Sequence, residues 1–287
     1  MSRARKGTPA VAVVTDSTGY LPAGVAELLG VQVVPLQVIV GGIVRAEGEE
    51  IGPGEVAAVL ARGHSVSTSR PSPSLFAAAY HRAFAAGSTS IVSVQLSGSM
   101  SGTVEAARLA AADVGGNITV IDSRSVGMGM GFAVIAAAEA AAAGADVGAV
   151  VETVSRTLAA THAIFYVDTL EFLRRGGRIG PARAMLGSAL SVKPLLCLRD
   201  GRIEPLERVR TASRAIARLE ELVAEIADDD TVSVAVHHLD APARAQQVAE
   251  MLDNRLPKVD DIVICEVGAV VGAHTGPGML AVVVCKR

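Results

Sequence analysis

Aromatic side chains are scarce in this chain, 3% of 287 residues, and tryptophan is absent. Proteins that hold bases or sugar rings on flat platforms need such side chains, so aliphatic surface must do most of the contact with whatever is bound. Cysteine is also scarce: Cys197, Cys265 and Cys285 are odd in number, far apart, and each set in an apolar strand-like run. That pattern excludes a disulfide framework and reads as buried free thiols in a reducing compartment. An excess of positive charge is lacking as well. With a net charge of -3 there is no field for a phosphate backbone, which argues against a nucleic-acid partner. No apolar run approaches the ~20 residues that span a bilayer; the longest, residues 131–143, carries Glu139 and reads as a packed helix. The basic start, Met1-Ser-Arg-Ala-Arg-Lys-Gly7, passes into Val11-Ala-Val-Val-Thr-Asp16 without the apolar region and cleavage site of a signal peptide. The expectation is a cytoplasmic protein with no integral membrane segment and no cofactor.

What the chain has is aliphatic bulk. Half of its residues are hydrophobic and 19% are charged, enough for a sizeable core and incompatible with global disorder. Its first half alternates short β-rich runs (residues 11–15, 91–94 and 118–122) with helical stretches, among them 104–112, 128–143 and 147–160. A longer extended run, Val31–Val40, is interrupted by Pro35. Ser72 followed by Pro73 reads as an N-cap and first helical turn. This βαβα order predicts a largely parallel sheet covered by helices, with ligands at the carboxyl ends of its strands. The second half mixes its elements differently. Asp168-Thr-Leu-Glu171 has the form of a capping box, and Pro181–Ala189 reads as a helix. Arg199-Asp-Gly-Arg202 is a hairpin turn between two strands, and further strands and helices follow. The fold class is therefore α/β in two domains. Residues 10–161 form an N-terminal α/β/α layer with a mostly parallel sheet, and residues 162–287 form a mixed α/β domain.

Three small-residue turns follow strand-like runs and precede helices: Asp16-Ser-Thr-Gly19, Thr68-Ser-Arg-Pro-Ser72, and Leu96-Ser-Gly-Ser-Met-Ser-Gly-Thr103. A helix N-terminus offers unpaired N–H groups and partial positive charge, and hydroxyls add adaptable donors, so such turns accept carboxylates. Ordinary capping is the competing account for any one of them. Gly127-Met-Gly-Met-Gly131 has the wrong spacing for a dinucleotide loop and reads as close helix packing. A nucleophile elbow is missing; Gly98-Ser-Met-Ser101-Gly102 is one residue out of register. Among the histidines, His64 and His81 read as surface residues, His162 precedes a strand, and His237-His238 lacks a third metal ligand. His274 lies in Ala273-His-Thr-Gly-Pro-Gly278, read as a shaped loop that aims the imidazole at a ligand.

Taken together and in order, these segments resemble the DegV family of bacterial fatty-acid-binding proteins, which includes carrier subunits of fatty-acid kinase. The match runs from about Val11 to Cys285. Further matching pieces are Asp122-Ser-Arg-Ser125, Leu170-Glu-Phe-Leu-Arg-Arg-Gly-Gly-Arg-Ile179, Ser191-Val-Lys-Pro-Leu195 and Arg208-Val-Arg-Thr211. The resemblance implies a long-chain fatty acid such as palmitate as ligand, its carboxylate held by Thr68 and Ser101 with His274 nearby. It also implies a dihydroxyacetone-kinase-like fatty-acid kinase as partner and no catalysis by the chain itself. Arg70 stands where the family has Gln, and Met100 where it has Leu. Ser97, in the doubled Ser/Gly turn, competes with Ser101 for the carboxylate. Arg174, Arg175, Arg178 and Arg210 form a basic patch suited to the partner or its nucleotide, with solvated charge as the alternative. A serine hydrolase of acyl esters, using Ser101 or Ser97 with His274, is the competing function.

Overall fold

The computed structural model describes residues 9–186 and 193–287. In chain order the first half contains β1 (Val11–Asp16), α1 (Val25–Leu29), β2 (Gln32–Val34), β3 (Gln37–Val40), β4 (Ile43–Ala46), α2 (Pro53–Ala61) and β5 (Val66–Ser69). It continues through α3 (Pro73–Ala85), β6 (Ser90–Gln95), α4 (Thr103–Val114), β7 (Asn117–Asp122), α5 (Met128–Ala142) and α6 (Val147–Ala159). β2, β1, β6 and β7 lie side by side in that order and are all parallel. β6 is buried along its whole length, which is why its sequence is apolar or small at nearly every position and does not alternate. α3 and α4 cover one face of this sheet through Phe76, Tyr80 and Ala107. α5 and α6 cover the other through Met130, Val134 and Val150. The parallel-sheet α/β/α layer expected from the sequence is present.

The second half contains β8 (Thr161–Tyr166), α7 (Glu171–Arg175), β9 (Lys193–Arg199), β10 (Arg202–Val209) and α8 (Ala212–Ala227). β11 (Val232–His238), α9 (Pro242–Arg255), β12 (Val259–Glu266), α10 (Ala269–Thr275) and β13 (Leu280–Lys286) complete it. Six strands form a mixed sheet in the order β10-β9-β8-β13-β11-β12, in which only the β11–β12 pair is parallel. One face packs under α8 and α9 through Ile164, Tyr166, Val234 and Val282. The opposite face, with Ala163, Ala235 and Val283, meets Met128 and Phe132 of α5. α5 is apolar around nearly all of its first turns because it is covered on two sides there: β1 and β6 lie against it on one flank, β8 and β13 on the other. Its glycines permit this. A methyl group on Gly131 would come within 2.6 Å of Met128 Sδ and 2.8 Å of the Gly19 carbonyl, so close packing, not a nucleotide, accounts for them.

Six local expectations are corrected. Val31–Val40 is not one strand: the chain breaks at Pro35, with β2 in the parallel sheet and β3 in a separate antiparallel sheet ordered β4-β3-β5. Thr68 therefore sits within β5, opposite Val38, and not in a helix-entry turn. Ser72 precedes α3 but its hydroxyl pairs with Ser74 (2.7 Å) instead of capping the helix. Asp168 does not cap α7 either; its carboxylate takes Tyr166 and Lys193 (2.7 Å for the latter), and Leu170 is the N-cap residue. The stretch read as a helix over Pro181–Ala189 begins with 3-10 turns at Gly180–Met185, and its last three residues lie outside the described residues, as do Ser191 and Val192 of the Ser191–Leu195 segment. The sixth concerns α10. The shaped loop around His274 is a seven-residue helix with His274 in its last turn.

Candidate ligand-binding site

The second sheet's inner face, β5, α10 and the carboxyl ends of the parallel strands enclose a cavity with about 950 Å³ of empty space, counting its open mouth. Strand alternation builds its wall. Ala163 and Phe165 on β8, with Ala281 and Val283 on β13, point inward, while their neighbours Ile164 and Val282 point into the core beneath α8. Leu198 and Ile203 extend this wall, and Leu96, Val126, Val267 and Val271 face it. Apart from the polar end, the enclosure is mostly aliphatic, with Phe165 and Tyr20 its aromatic members.

At the polar end Thr68, Ser101 and His274 line the same cavity, although they come from β5, the turn before α4, and α10. Thr68 Oγ1 and His274 Nε2 are 2.8 Å apart. Ser101 Oγ is 2.8 Å from Thr103 Oγ1, and the Ser101 N–H donates to the Ser97 carbonyl. Burial pushes the His274 imidazole down to about 4, and the Arg178 charge adds to the shift, so the ring is neutral at neutral pH. Its Nδ1 has no partner among the described residues. A bare acceptor there costs less than an orphaned N–H, which places the proton on Nε2, donating to Thr68. The Thr68 hydroxyl proton is then left to point into the cavity, at an acceptor such as a carboxylate oxygen.

α10 reaches this position through a buried polar network that the sequence reading did not single out. Glu47, after β4, accepts from the Val270 N–H (2.7 Å), the Tyr20 hydroxyl (3.1 Å) and the Ser17 hydroxyl. The Tyr20 hydroxyl in turn accepts from the Val271 N–H at 3.2 Å. Two open N–H groups of the first turn of α10 are thereby satisfied from the first half of the chain. Gly268 makes room for the clamp, since a methyl group there would lie 2.6 Å from Tyr20 Cε1 and closer still to Glu47. Burial raises the Glu47 carboxyl, and it pushes Asp16 up to about 6. Asp16 is spent on the Thr18 and Leu96 N–H groups, which fixes the end of β1 against the end of β6.

Ser97 lies elsewhere. Its fully buried hydroxyl donates to the Gly201 carbonyl at 2.7 Å and accepts from the Ser99 N–H, holding the β9–β10 hairpin turn, and it does not line the cavity. Neither serine contacts His274, and no carboxylate contacts its Nδ1 among the described residues. The arrangement a serine hydrolase needs is not assembled. The basic patch divides. Arg178 lines the cavity, donating to the Met100 carbonyl (3.0 Å) and the Gly176 carbonyl (2.7 Å). Arg174 and Arg175 lie on the exposed face of α7 and pair with Glu171, and Arg210 is exposed after β10. Arg70 and Met100, the two departures from the family pattern, both line the cavity. His237 is neutral, pushed down to about 4 by burial, and accepts from the Met128 N–H at 2.9 Å. No group of metal-binding side chains occurs among the described residues, and no helix there is long and apolar enough to cross a membrane. The three cysteines are free and buried.

A family model described as "Uncharacterised protein, DegV family" matches residues 10–287. The DegV domain-containing protein SCO2569 of Streptomyces coelicolor is 52% identical over 96% of this chain and 99% of its own. Among solved structures, a DegV family protein from Thermus thermophilus, described by its fatty acid binding, superposes with a TM-score of 0.90 at 36% identity, covering 96% of this chain and 99% of that one. DegV from Bacillus subtilis, described as a fatty acid binding protein, gives 0.89 at 31% identity, covering 97% and 100%. On these matches, which extend over nearly its whole length, the chain belongs to the DegV family.

Proposed function

We propose that this protein is a carrier of long-chain fatty acids and not itself a catalyst. The carboxylate sits against Thr68, Ser101 and His274, and the acyl chain fills the aliphatic cavity. One observation carries this reading above the others: a single cavity brings together Thr68, Ser101 and His274 from distant parts of the chain with a lining that is otherwise mostly apolar. Each buried methylene contributes about 0.8 kcal/mol, so a long chain offers ~10 kcal/mol or more before ordering costs. The hydrocarbon therefore supplies affinity and the polar end supplies register. The relatives from Thermus and Bacillus, described as fatty acid binding, support the same ligand class. Two domains, residues 10–161 and 162–287, divide the work, the first supplying Thr68 and Ser101 and the second supplying His274 and most of the hydrocarbon wall. With the carboxylate at the end of the cavity lined by Arg178 and the exposed Arg70, we assign the protein a partner, a dihydroxyacetone-kinase-like fatty-acid kinase that phosphorylates the bound acid. Arg174, Arg175 and Arg210 lie on exposed surface where they are available to that partner or its nucleotide.

Native mass spectrometry of the purified protein, with lipid identification, tests the carrier role. One long-chain fatty acid per chain is expected, either retained from the host or taken up when palmitate is added. A protein that carries no lipid and takes up none overturns the proposal. For the partner, acyl phosphate should form from ATP only when kinase and loaded carrier are both present.

A further inference from the structure

We propose that Arg70 is a specificity-determining residue of this site, making capture selective for acyl chains that end in an anion. The inference rests on the carrier reading and deepens it. Arg70 follows β5 two residues after Thr68 and lines the same cavity as Thr68, Ser101 and His274. Its side chain lies along Gly102, the residue after Ser101. A methyl group on Gly102 would meet Arg70 Nη1 at 2.7 Å and Cδ at 3.0 Å, so the turn has room for this guanidinium only because it lacks a side chain there. The charge is uncompensated. Arg70 donates no side-chain hydrogen bond and forms no ion pair among the described residues, whereas Arg45, Arg174 and Arg218 each hold a glutamate. Arg178, the second guanidinium at this end, is spent on two carbonyls that leave its charge intact. Among the described residues neither Asp nor Glu lines the cavity, and His274 is held neutral.

Two positive charges thus face a polar end with no internal counter-ion. A carboxylate supplies one, and the five N–H donors of Arg70 remain available to it in a planar fork. A fatty alcohol or methyl ester of the same chain length fills the hydrocarbon wall equally well but leaves both charges unmatched. Arg178 is fixed by its carbonyls, so Arg70 is the group free to turn onto the ligand. Because Arg70 is exposed, its contribution is screened by salt and modest in size.

The test is a binding comparison of palmitate with hexadecanol on the wild-type protein, Arg70→Gln and Arg70→Lys, at low and high sodium chloride. Arg70→Gln should weaken palmitate about threefold to tenfold and leave hexadecanol unchanged, and Arg70→Lys should retain most of the palmitate affinity. Added salt should weaken palmitate on wild type more than on Arg70→Gln. An unchanged palmitate-to-hexadecanol ratio in Arg70→Gln overturns the assignment while leaving the carrier role intact. Failure of the wild-type protein to bind either ligand overturns both. If Arg70→Gln does not fold, the salt response of wild type and of Arg70→Lys decides: salt-independent palmitate binding by both refutes it.

Discussion

Replacing Gly176 by Ala isolates the seat of His274 from everything around it. Gly176 has φ -73° and ψ -9°, ordinary right-handed backbone that alanine adopts freely. The obstacle is the imidazole: the new methyl would lie 2.7 Å from His274 Cε1, 3.3 Å from Cγ, and nearer still to Nδ1. The ring cannot swing away cheaply, because its other edge is bonded to Thr68 and α10 is packed into the core through Ala269, Val270 and Ala273. Overpacking of this kind costs about 1–3 kcal/mol, offset by ~0.4–1 kcal/mol from the reduced freedom of the unfolded chain. Urea denaturation should therefore show Gly176→Ala destabilised by about 1–2 kcal/mol. Truncating the ring should remove the conflict. In a His274→Ala background the same glycine substitution should be neutral or stabilising, giving a coupling of about 1–3 kcal/mol between the two positions. Palmitate affinity should fall about tenfold in the single variant, as expected when a hydrogen bond to a charged group is lost. Equal destabilisation in both backgrounds, within about 0.5 kcal/mol, would mean that the methyl is accommodated without moving the imidazole, and the argument would fail.

Three further outcomes follow from the same contacts. Ser97→Ala should lower stability by about 1 kcal/mol through the lost bond to Gly201 and leave palmitate affinity unchanged, whereas Ser101→Ala should do the reverse; isothermal titration beside denaturation separates them. Gly268→Ala, which drives a methyl against Tyr20 and Glu47, should break the clamp on α10 and cost about 1–3 kcal/mol together with ligand affinity. The third is a pH effect. Asp16, raised to about 6 in the fold, binds more protons folded than unfolded between its ordinary value and 6. Its contribution is thus full below about 4 and is lost as pH rises through 6, about 3 kcal/mol in all. Asp16→Asn should lower stability at every pH, since an amide nitrogen cannot accept from the Leu96 N–H, yet flatten that slope. A slope unchanged in Asp16→Asn would assign the effect to another group. His274 and His237 shift oppositely to the carboxyls: both imidazoles should stay neutral by NMR from pH 8 down to about 5.

The core elements were legible in the sequence because their patterns are local. β6 announces itself as a short β-rich run of apolar and small residues, α5 as a long run apolar except at Glu139, and the β9–β10 hairpin as Asp200-Gly201. The three-stranded sheet was not legible as such. β3, β4 and β5 are four residues each, too short for alternation to show, and Pro35 marks the change of sheet without naming the new partner. The candidate residues Thr68 and Ser101 were legible as hydroxyl-rich motifs, yet the sequence pattern pointed Thr68 to a helix entry, and its place is a strand facing α10. α10 escaped notice because its seven residues are small and apolar with Gly272 inside and Gly276 at the end, so neither propensity nor length favours a helix. It forms because tertiary contacts supply what propensity does not. Glu47 had no distinguishing mark in Glu47-Gly-Glu-Glu50: three carboxylates stand together, and only the fold decides which is buried.

Thr68, the Ser101 turn and the Glu47 clamp all belong to the first half of the chain, and α10, though later in sequence, is packed into the first half's core. The long apolar wall belongs to the second sheet. On the proposed reading, head-group recognition and most of the hydrocarbon wall are therefore built on different scaffolds. Changes at Ala163, Ala281 or Val283 alter how much chain fits while leaving the polar end in place; changes at Thr68 or Gly268 do the opposite. A ligand that touches both scaffolds links them, and at a hundredfold excess over its Kd it adds about 2.7 kcal/mol to the folded state. That sum is comparable with the cost of breaking the Glu47 clamp, so a loaded protein should tolerate Gly268→Ala at temperatures that unfold the empty one.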